Sequence, residues 1–452
     1  MWWRPGYKAK FMKKKAILVF DIGKTNKKYF LLDESYSELE HNQVQIPESI
    51  DDDGFPCDDL SAIKNWIINI VSLMRSDGRY ELTHINFSAY GATLVHMDRE
   101  GEPCTPMYNY QKDFPETARS RFEEMYGNLE EWSKATSSPY LGMLNAGLQL
   151  FWLKYEKPFF FQQIRRSVFL PQYLSYLLTG VLSMEFTGIG CHTGMWNFEK
   201  NDFHDWIYRE DLHMLFPPIV STFSRHKIRG AGTLVGVGIH DSSSALVPYR
   251  QSNSEPFILI STGTWSICLN PFNYEPLTLK ELKADCLCYL QPEGIPVKAS
   301  RFFLGNIFAR YEQQISAYFG RQSGFYHSLD FSDSLYDKVS ATGENFFGGP
   351  GHTQLSNSGS SIVNLSSFEN YETAYHQLMH ELAEQQVQKI KLVSGLNGPG
   401  KIYVDGGFAS NIVFLRMLEK KLPGCSITAS VLTQGSSLGA AMVVSQELGT
   451  VD

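Results

Sequence analysis

Three short segments of this 452-residue chain set an acidic or hydroxyl residue beside glycine where an apolar run ends. The first is Asp21-Ile22-Gly23, after Ala16–Phe20 (AILVF). A carboxylate at a strand end followed by a tight glycine turn lies beside exposed backbone N–H groups. Such groups can cradle phosphate oxygens while the carboxylate serves Mg2+ or its waters. The same residues also make an ordinary hairpin turn, where Asp and Gly are common. The second, Ser261-Thr262-Gly263-Thr264, has hydroxyls and N–H groups but no acid, which suits a phosphate whose metal is held elsewhere. The third, Asp405-Gly406-Gly407-Phe408-Ala409-Ser410-Asn411, puts paired glycines after a strand. Backbone there can approach a flat ligand such as a purine closely, or simply turn from strand to helix.

The surrounding pattern says how these turns are positioned. Ala16–Phe20 leads through its turn to Tyr29–Leu32, and Phe257–Ile260 leads through its own to Trp265–Leu269, so each reads as strand, turn, strand. The same unit near the start of both halves implies a duplicated architecture with the turns facing across a cleft. Leu60, Ile63, Ile67, Ile70, Val71 and Met74 fall on one helical face, with Asp58 and Asp59 at its amino end. Leu378, Leu382, Ile390 and Val393 predict a long helix ending near Gly395, and another helix begins near Ser410. The polar stretch Pro248–Pro256 is the expected domain boundary, and the Gly/Ser-rich residues 348–361 are expected to form a mobile loop.

Composition bounds the function. The chain is too long for one core, and 43% hydrophobic with 19% charged residues supports two ordered domains. A net charge of −8 without a dense basic run argues against nucleic acid. Seven cysteines without a CxxC pair fit reduced thiols, and no apolar run approaches the roughly 20 residues that span a bilayer, so a cytoplasmic protein away from membranes is expected. Residues 1–13 read as a disordered extension rather than a secretory signal.

Taken together, these motifs resemble the FGGY carbohydrate kinases, most of all their rhamnulokinase and fuculokinase branch, from about Lys14 onward. Asp21–Lys28 (DIGKTNKK) is similar to the first phosphate motif and Ser261–Trp265 (STGTW) to the second. Val404–Asn411, with the later Leu438-Gly439-Ala440-Ala441, resembles the adenosine-binding end. Leu177–Gly180 resembles an LTG signature, and Trp206 with Phe216–Val220 resembles the segment before the catalytic motif, itself matched by Val237–Ala245.

The resemblance implies an α/β fold of two actin-like (ribonuclease H-like) domains around a cleft. Residues 14–248 would bind sugar and carry the base, and 249–452 would bind nucleotide. It implies ATP and Mg2+ as cofactors, a small-molecule sugar as partner, and is compatible with a homodimer. By the same carry-over Asp241 is the general base, Asp21 serves the metal, and Gly23, Lys24, Thr25, Asn26, Lys28, Gly263, Thr264, Gly406, Gly407 and Asn411 bind nucleotide. Tyr90, Gly91, Ala92, Tyr110 and His240, with Asp241, border the sugar. From residue type alone, Asp241 reads as a helix cap; in phosphoryl transfer an Asp would accept the attacking hydroxyl's proton. Two positions depart from the family pattern. Tyr110 stands where Asp is usual, and Lys24 where a small or hydroxyl residue is usual. These departures keep a non-catalytic sugar or nucleotide sensor as the alternative. A filament-forming or chaperone-like ATPase is less favoured, since no peptide-binding domain follows the second half. His376 and His380 have zinc-like spacing but belong to HQLMHE, not HExxH. Gly230 and Gly232 lack the context of a dinucleotide loop, and Phe159-Phe160-Phe161 is expected in the core.

Overall fold

The computed structural model describes residues 13–228, 230, 232–342, 364–395, 398, 400–430 and 434–446. Of the expected extension 1–13 only Lys13 is among them, and the stretch 348–361 lies outside them.

The apolar run 16–20 is unbroken because its strand is covered on both faces. That strand, β1 (Lys14–Ile22), forms a hairpin with β2 (Lys27–Leu32), which pairs with β3 (Glu38–Val44). Helix α1 (Leu60–Ser76) leads to β4 (Tyr80–Ala89), parallel to β1. After helix α2 (Leu170–Thr179), the strands β5 (Arg225–Lys227), β6 (Leu234–Gly236) and β7 (Ile239–His240) complete a seven-stranded sheet, ordered β5-β6-β4-β1-β2-β3 with β7 also on β4. Helix α3 (Asp241–Ser252) then leads into the second half.

There β8 (Ile258–Thr262) and β9 (Ser266–Asn270) form the second hairpin, flanked by β10 (Cys286–Leu290) and β11 (Pro296–Phe302). Helices α4 (Leu304–Tyr318) and α5 (Tyr371–Ser394) precede β12 (Lys401–Gly406). Helix α6 (Ile412–Lys421) then leads to β13 (Ser426–Ala429) and the last helix, α7 (Gly435–Ser445). The six-stranded order is β10-β11-β9-β8-β12-β13. In both sheets an antiparallel hairpin strand is followed, on its other side, by parallel neighbours, so the expected duplication is present.

Alternation along β1 assigns its two faces. Ala16, Leu18 and Phe20 pack with Ile63, Ile67, Val71 and Met74 of α1. Ile17 and Val19 pack with Ile239, Val247, Ala440, Ala441, Val443 and Val444. The end of the chain therefore returns to cover the first sheet, and Asn86 donates to the Ala440 carbonyl at 2.8 Å. Residues 248–252 of the expected boundary are the end of α3, and Tyr249 is buried. Pro248 has no N–H to offer the Ser244 carbonyl four residues earlier. Gly439 of α7 lies against that same carbonyl, so close that a Cβ would sit 1.8 Å from the oxygen. Long helix α5 ends at Gly395, whose φ of 70° is left-handed, with Leu378, Leu382, Ile390 and Val393 buried as expected.

One core expectation holds in part, for Phe161 packs against the core but Phe159 does not. Residues 158–161 form a single turn with no buried residue, and Phe159 is 74% exposed. Consecutive residues of one helical turn point in different directions, so three in a row cannot enter one core. Asp59, not Asp58, caps α1, accepting from Ala62 N at 2.9 Å.

Because the α3–α7 crossing has no space for a methyl group, Gly439→Ala is expected to cost about 1–3 kcal/mol. A thermal melt should show a drop of roughly 2–10 °C; an unchanged melting temperature would mean the crossing is loose.

Candidate functional site between the two sheets

Strands β1, β4 and β7 run parallel and release the chain at one edge of the first sheet. Ligands gather beyond the carboxyl ends of such strands. Asp21 leaves β1 there, Tyr90-Gly91-Ala92 follows β4, and His240-Asp241 joins β7 to α3.

Asp241 is the first residue of α3 rather than its cap, which is His240. Its Oδ1 accepts from Ser242 N at 2.6 Å, and its side chain is 34% exposed. His240 is buried. Its Nε2 lies 3.1 Å from Asp241 Oδ1 and 3.1 Å from Cys191 Sγ, and the His240 backbone N–H donates to Thr187 Oγ1 at 2.9 Å. Thr187 is in turn held by the buried Glu185. Burial disfavours the imidazolium, but Cys191 and Asp241 outweigh it and raise the His240 pKa well above its ordinary value. Across the cleft Tyr289 of β10 packs edge-on against the His240 ring at 5.2 Å.

Asp21 lies at the same edge. Burial, reinforced by the like charge of Asp241, pushes its pKa up to about 6, against the opposing effects of Lys28 and the Ser436 hydroxyl. Ser436, in the first turn of α7, donates to Asp21 Oδ2 at 3.1 Å. Its neighbour Gly435 abuts Asp405, where a Cβ would meet Oδ2 at 2.6 Å. The start of α7 thus lies between a carboxylate of each domain. The sheet registers reveal an exchange: Asp21 pairs with Ser88, whereas Ser261 pairs with Asp405. The second acid sits one strand over from where the first would place it.

Gly23 N bonds Asn26 O at 3.0 Å to close the first turn, and Gly263 N bonds Trp265 O at 2.8 Å to close the second. Thr25, Gly263 and Thr264 are exposed, and Asn26 is half-buried. Lys28 pairs in register with Asp21. Gly406 has φ 82° and no space for a Cβ, which would lie 1.8 Å from Thr262 O, while Gly407 is open. Asn411 is committed elsewhere: Oδ1 caps α6 through Phe414 N at 3.1 Å, and Nδ2 donates to Tyr375 at 2.8 Å.

On the opposite wall a Cβ on Gly91 would lie 2.3 Å from Cys191 Sγ, and Ala92 takes a left-handed φ of 57°. Tyr90 and Tyr110 meet edge to face at 6.0 Å. Burial raises the Tyr110 phenol, Lys24 opposes that, and Asp241 and Asp58 add to it, so all three charges act on this hydroxyl. Its neighbours face away: Tyr108 donates to Asp52, and Lys112 pairs with Asp51 and Asp53. The Lys24 side chain, 18% exposed, does not point into solvent. Its Nζ lies 2.7 Å from Asp58 and 2.7 Å from Glu48.

Asp58, Glu48, Cys191, Tyr289 and Ser436 were not legible as site residues. Each is distant in sequence from the motif it serves, and no spacing rule links them. Residue type flagged only Asp58, and as a helix-start residue. His376 accepts from Ser332 N at 3.2 Å and His380 lies 2.9 Å from Lys421 Nζ, so each has its own partner. Among the described residues no cluster of three or more His, Cys, Asp or Glu could hold a metal, and no helix is long and apolar enough to cross a membrane. Asp21 fits a hard dication as a single carboxylate, with phosphate and water oxygens completing the shell.

The duplicated sheets and the edge between them define a two-domain actin-like fold. The chain superposes on a carbohydrate kinase from Novosphingobium aromaticivorans with a TM-score of 0.75 and 22% identity, covering 94% of this chain and 93% of that one. A ligand-bound xylulose kinase from Lactobacillus acidophilus gives a TM-score of 0.76 at 16% identity, covering 95% and 88%. Residues 16–223 match the N-terminal domain of the FGGY family of carbohydrate kinases. A rhamnulokinase from Mannheimia succiniciproducens is 28% identical over 268 residues, 56% of this chain and 52% of that protein. A Yersinia pestis rhamnulokinase is 25% identical over 227 residues, 48% and 45% respectively. The chain thus spans about half the length of the curated relatives it matches.

Asp21 gives a pH test of this geometry. Its pKa is higher folded than unfolded, so its contribution to stability is present below about pH 4 and is lost as pH rises through about 6. Asp21→Asn should melt roughly 3–6 °C above the parent at pH 8, and the gap should close toward pH 4.5. A gap that did not change with pH would show that Asp21 is not strained by its neighbours.

Proposed function

We propose that this protein is an ATP-dependent carbohydrate kinase that transfers the γ-phosphoryl group of MgATP to a sugar hydroxyl. The observation that carries the reading is the meeting of Asp241 and Asp21 at one sheet edge, where burial and, after it, the like charge of Asp241 raise Asp21 to about 6. One carboxylate suffices for a proton acceptor and the other for a metal site, and phosphoryl transfer asks for little else beyond positioning.

In this reading Asp241 accepts the proton of the attacking hydroxyl as its oxygen bonds to the γ-phosphorus and the bond to the β–γ bridging oxygen breaks, releasing ADP. His240, packed between Cys191 and Tyr289, holds Asp241 toward the cleft. The turns at Gly23, Thr25 and Asn26 and at Gly263 and Thr264 receive the phosphates, with Lys28 beside Asp21. Bound Mg2+ would neutralise phosphate charge, and Asp21 is the residue that would hold it. Gly407 offers an open surface to adenine. The Asn411 side chain serves α6, so its part in nucleotide binding is indirect. Closure of the halves excludes water, which would otherwise be phosphorylated in place of sugar.

For the acceptor we favour a deoxy-ketohexose such as rhamnulose or fuculose. Two observations support this: the similarity to rhamnulokinases, and the Tyr90–Tyr110 corner, which suits an apolar edge such as a methyl group. A cytoplasmic location, where MgATP is abundant, goes with this reading.

The measurement is ADP release on a panel of ketoses and polyols. Asp241→Asn should lower kcat by ~10²–10⁴-fold while nucleotide affinity stays within about threefold. Full activity in that variant would remove Asp241 as the base. Sugar binding by calorimetry without phosphorylation of any panel member would favour a sensor instead.

A further inference from the structure

The turn between β1 and β2 carries two lysines that converge on one carboxylate. Lys27 is 1% exposed, and its Nζ lies 2.6 Å from Asp58 Oδ1 and 2.9 Å from the Lys24 carbonyl. Lys24 Nζ lies 2.7 Å from Asp58 Oδ2 and 2.7 Å from Glu48 Oε1. The same Oδ2 accepts the Tyr90 hydroxyl at 2.7 Å. A carboxylate 4% exposed therefore holds two ammonium groups and a phenol.

The two lysines are not equivalent. If Lys27 lost Asp58, a fully buried ammonium would lose its carboxylate, which is strongly unfavourable. If Lys24 left, Asp58 would keep Lys27 and Tyr90, and its charge would stay balanced. Glu48 is 44% exposed and would simply rehydrate, as exposed ion pairs contribute little. Lys24 also follows Gly23 directly, at the base of the turn that would face phosphate, on a flexible four-carbon stem. Asp58 in turn bonds Tyr90, a wall of the candidate sugar site.

We propose that Lys24 is a displaceable cation, held by Asp58 and Glu48 while the first turn is empty and transferred to the terminal phosphate when MgATP binds. The proposal rests on the kinase reading above. It has a further consequence: with Lys24 gone, Asp58 has one fewer donor competing with Tyr90. Its bond to the Tyr90 hydroxyl strengthens, and the sugar wall stiffens when triphosphate is present. The departure from the family pattern at Lys24 is then a link between the two substrates.

Calorimetry of the full chain with Mg2+ and a non-hydrolysable ATP analogue, and separately with Mg2+ and ADP, tests this. Lys24→Met should weaken analogue binding by ~10–100-fold, the range of a charge-assisted bond, and ADP binding by less than about threefold. Glu48→Gln, a surface change that leaves the buried pair intact, should tighten analogue binding by roughly 2–5-fold because one holding partner is gone. Equal effects of Lys24→Met on the two nucleotides, or weaker analogue binding by Glu48→Gln, would overturn the proposal. A parent protein that bound neither nucleotide would defeat the kinase reading and this one with it.

Discussion

The contact on which the molecule depends is the crossing of α3 and α7. Gly439 lies against the Ser244 carbonyl with no space for a side chain, and Ser244 Oγ donates to Ser436 O at 2.6 Å. Helix α3 leaves the first domain at this point, and α7 returns to it after the chain has built the second. Both begin at the same edge, α3 with Asp241 and α7 beside Asp21 and Asp405. This close helix contact ties the second half to the first sheet and brings their acids together. The absent methyl group at 439 and the absent N–H at 248 act at the same carbonyl, one from each helix.

Electrostatic strain is concentrated where this crossing opens into the cleft. Asp21 is partly desolvated next to another carboxylate, without a directly bonded cationic side chain to offset it. Such an arrangement costs stability, and a cation would relieve it. The neighbouring cluster at Asp58 has the reverse character, with more donors than one carboxylate needs. That cluster is balanced, Lys24 and Lys27 against Asp58 and Glu48, whereas Asp21 faces a like charge. Lys24 is the group able to move between them.

The wall formed by Tyr90, Gly91 and Ala92 is set by packing more than by hydrogen bonding. Gly91 admits no side chain because Cys191 and His240 occupy that space, and Ala92 is held in a left-handed conformation that favours glycine. Glu185, Thr187 and Gln149 fix the backbone around it through buried bonds, Gln149 by donating to the Ala92 carbonyl at 2.9 Å. The Tyr90–Tyr110 corner is an aromatic edge, where an acidic residue at 110 would have offered a carboxylate acceptor.

Much of this was present in the sequence. The alternation and apolar runs determined both hairpins, the face of α1 and the end of α5 at Gly395, because local periodicity and glycine's freedom at positive φ act over a few residues. The turns at Gly23, Gly263 and Gly406 were legible for the same reason. What tertiary structure alone decided is which residues the turns meet. Asp58 became a partner of Lys24, Lys27 and Tyr90 rather than a helix cap, and Asn411 was given to Tyr375. Cys191 and Tyr289 reached His240 from different domains, and α7 was folded back onto β1. Phe159 was left outside while Phe161 packs against the core, because a single turn cannot bury three successive rings. Each of these outcomes depends on segments tens to hundreds of residues apart sharing one volume, and packing of that kind leaves no repeat or spacing in the chain to read.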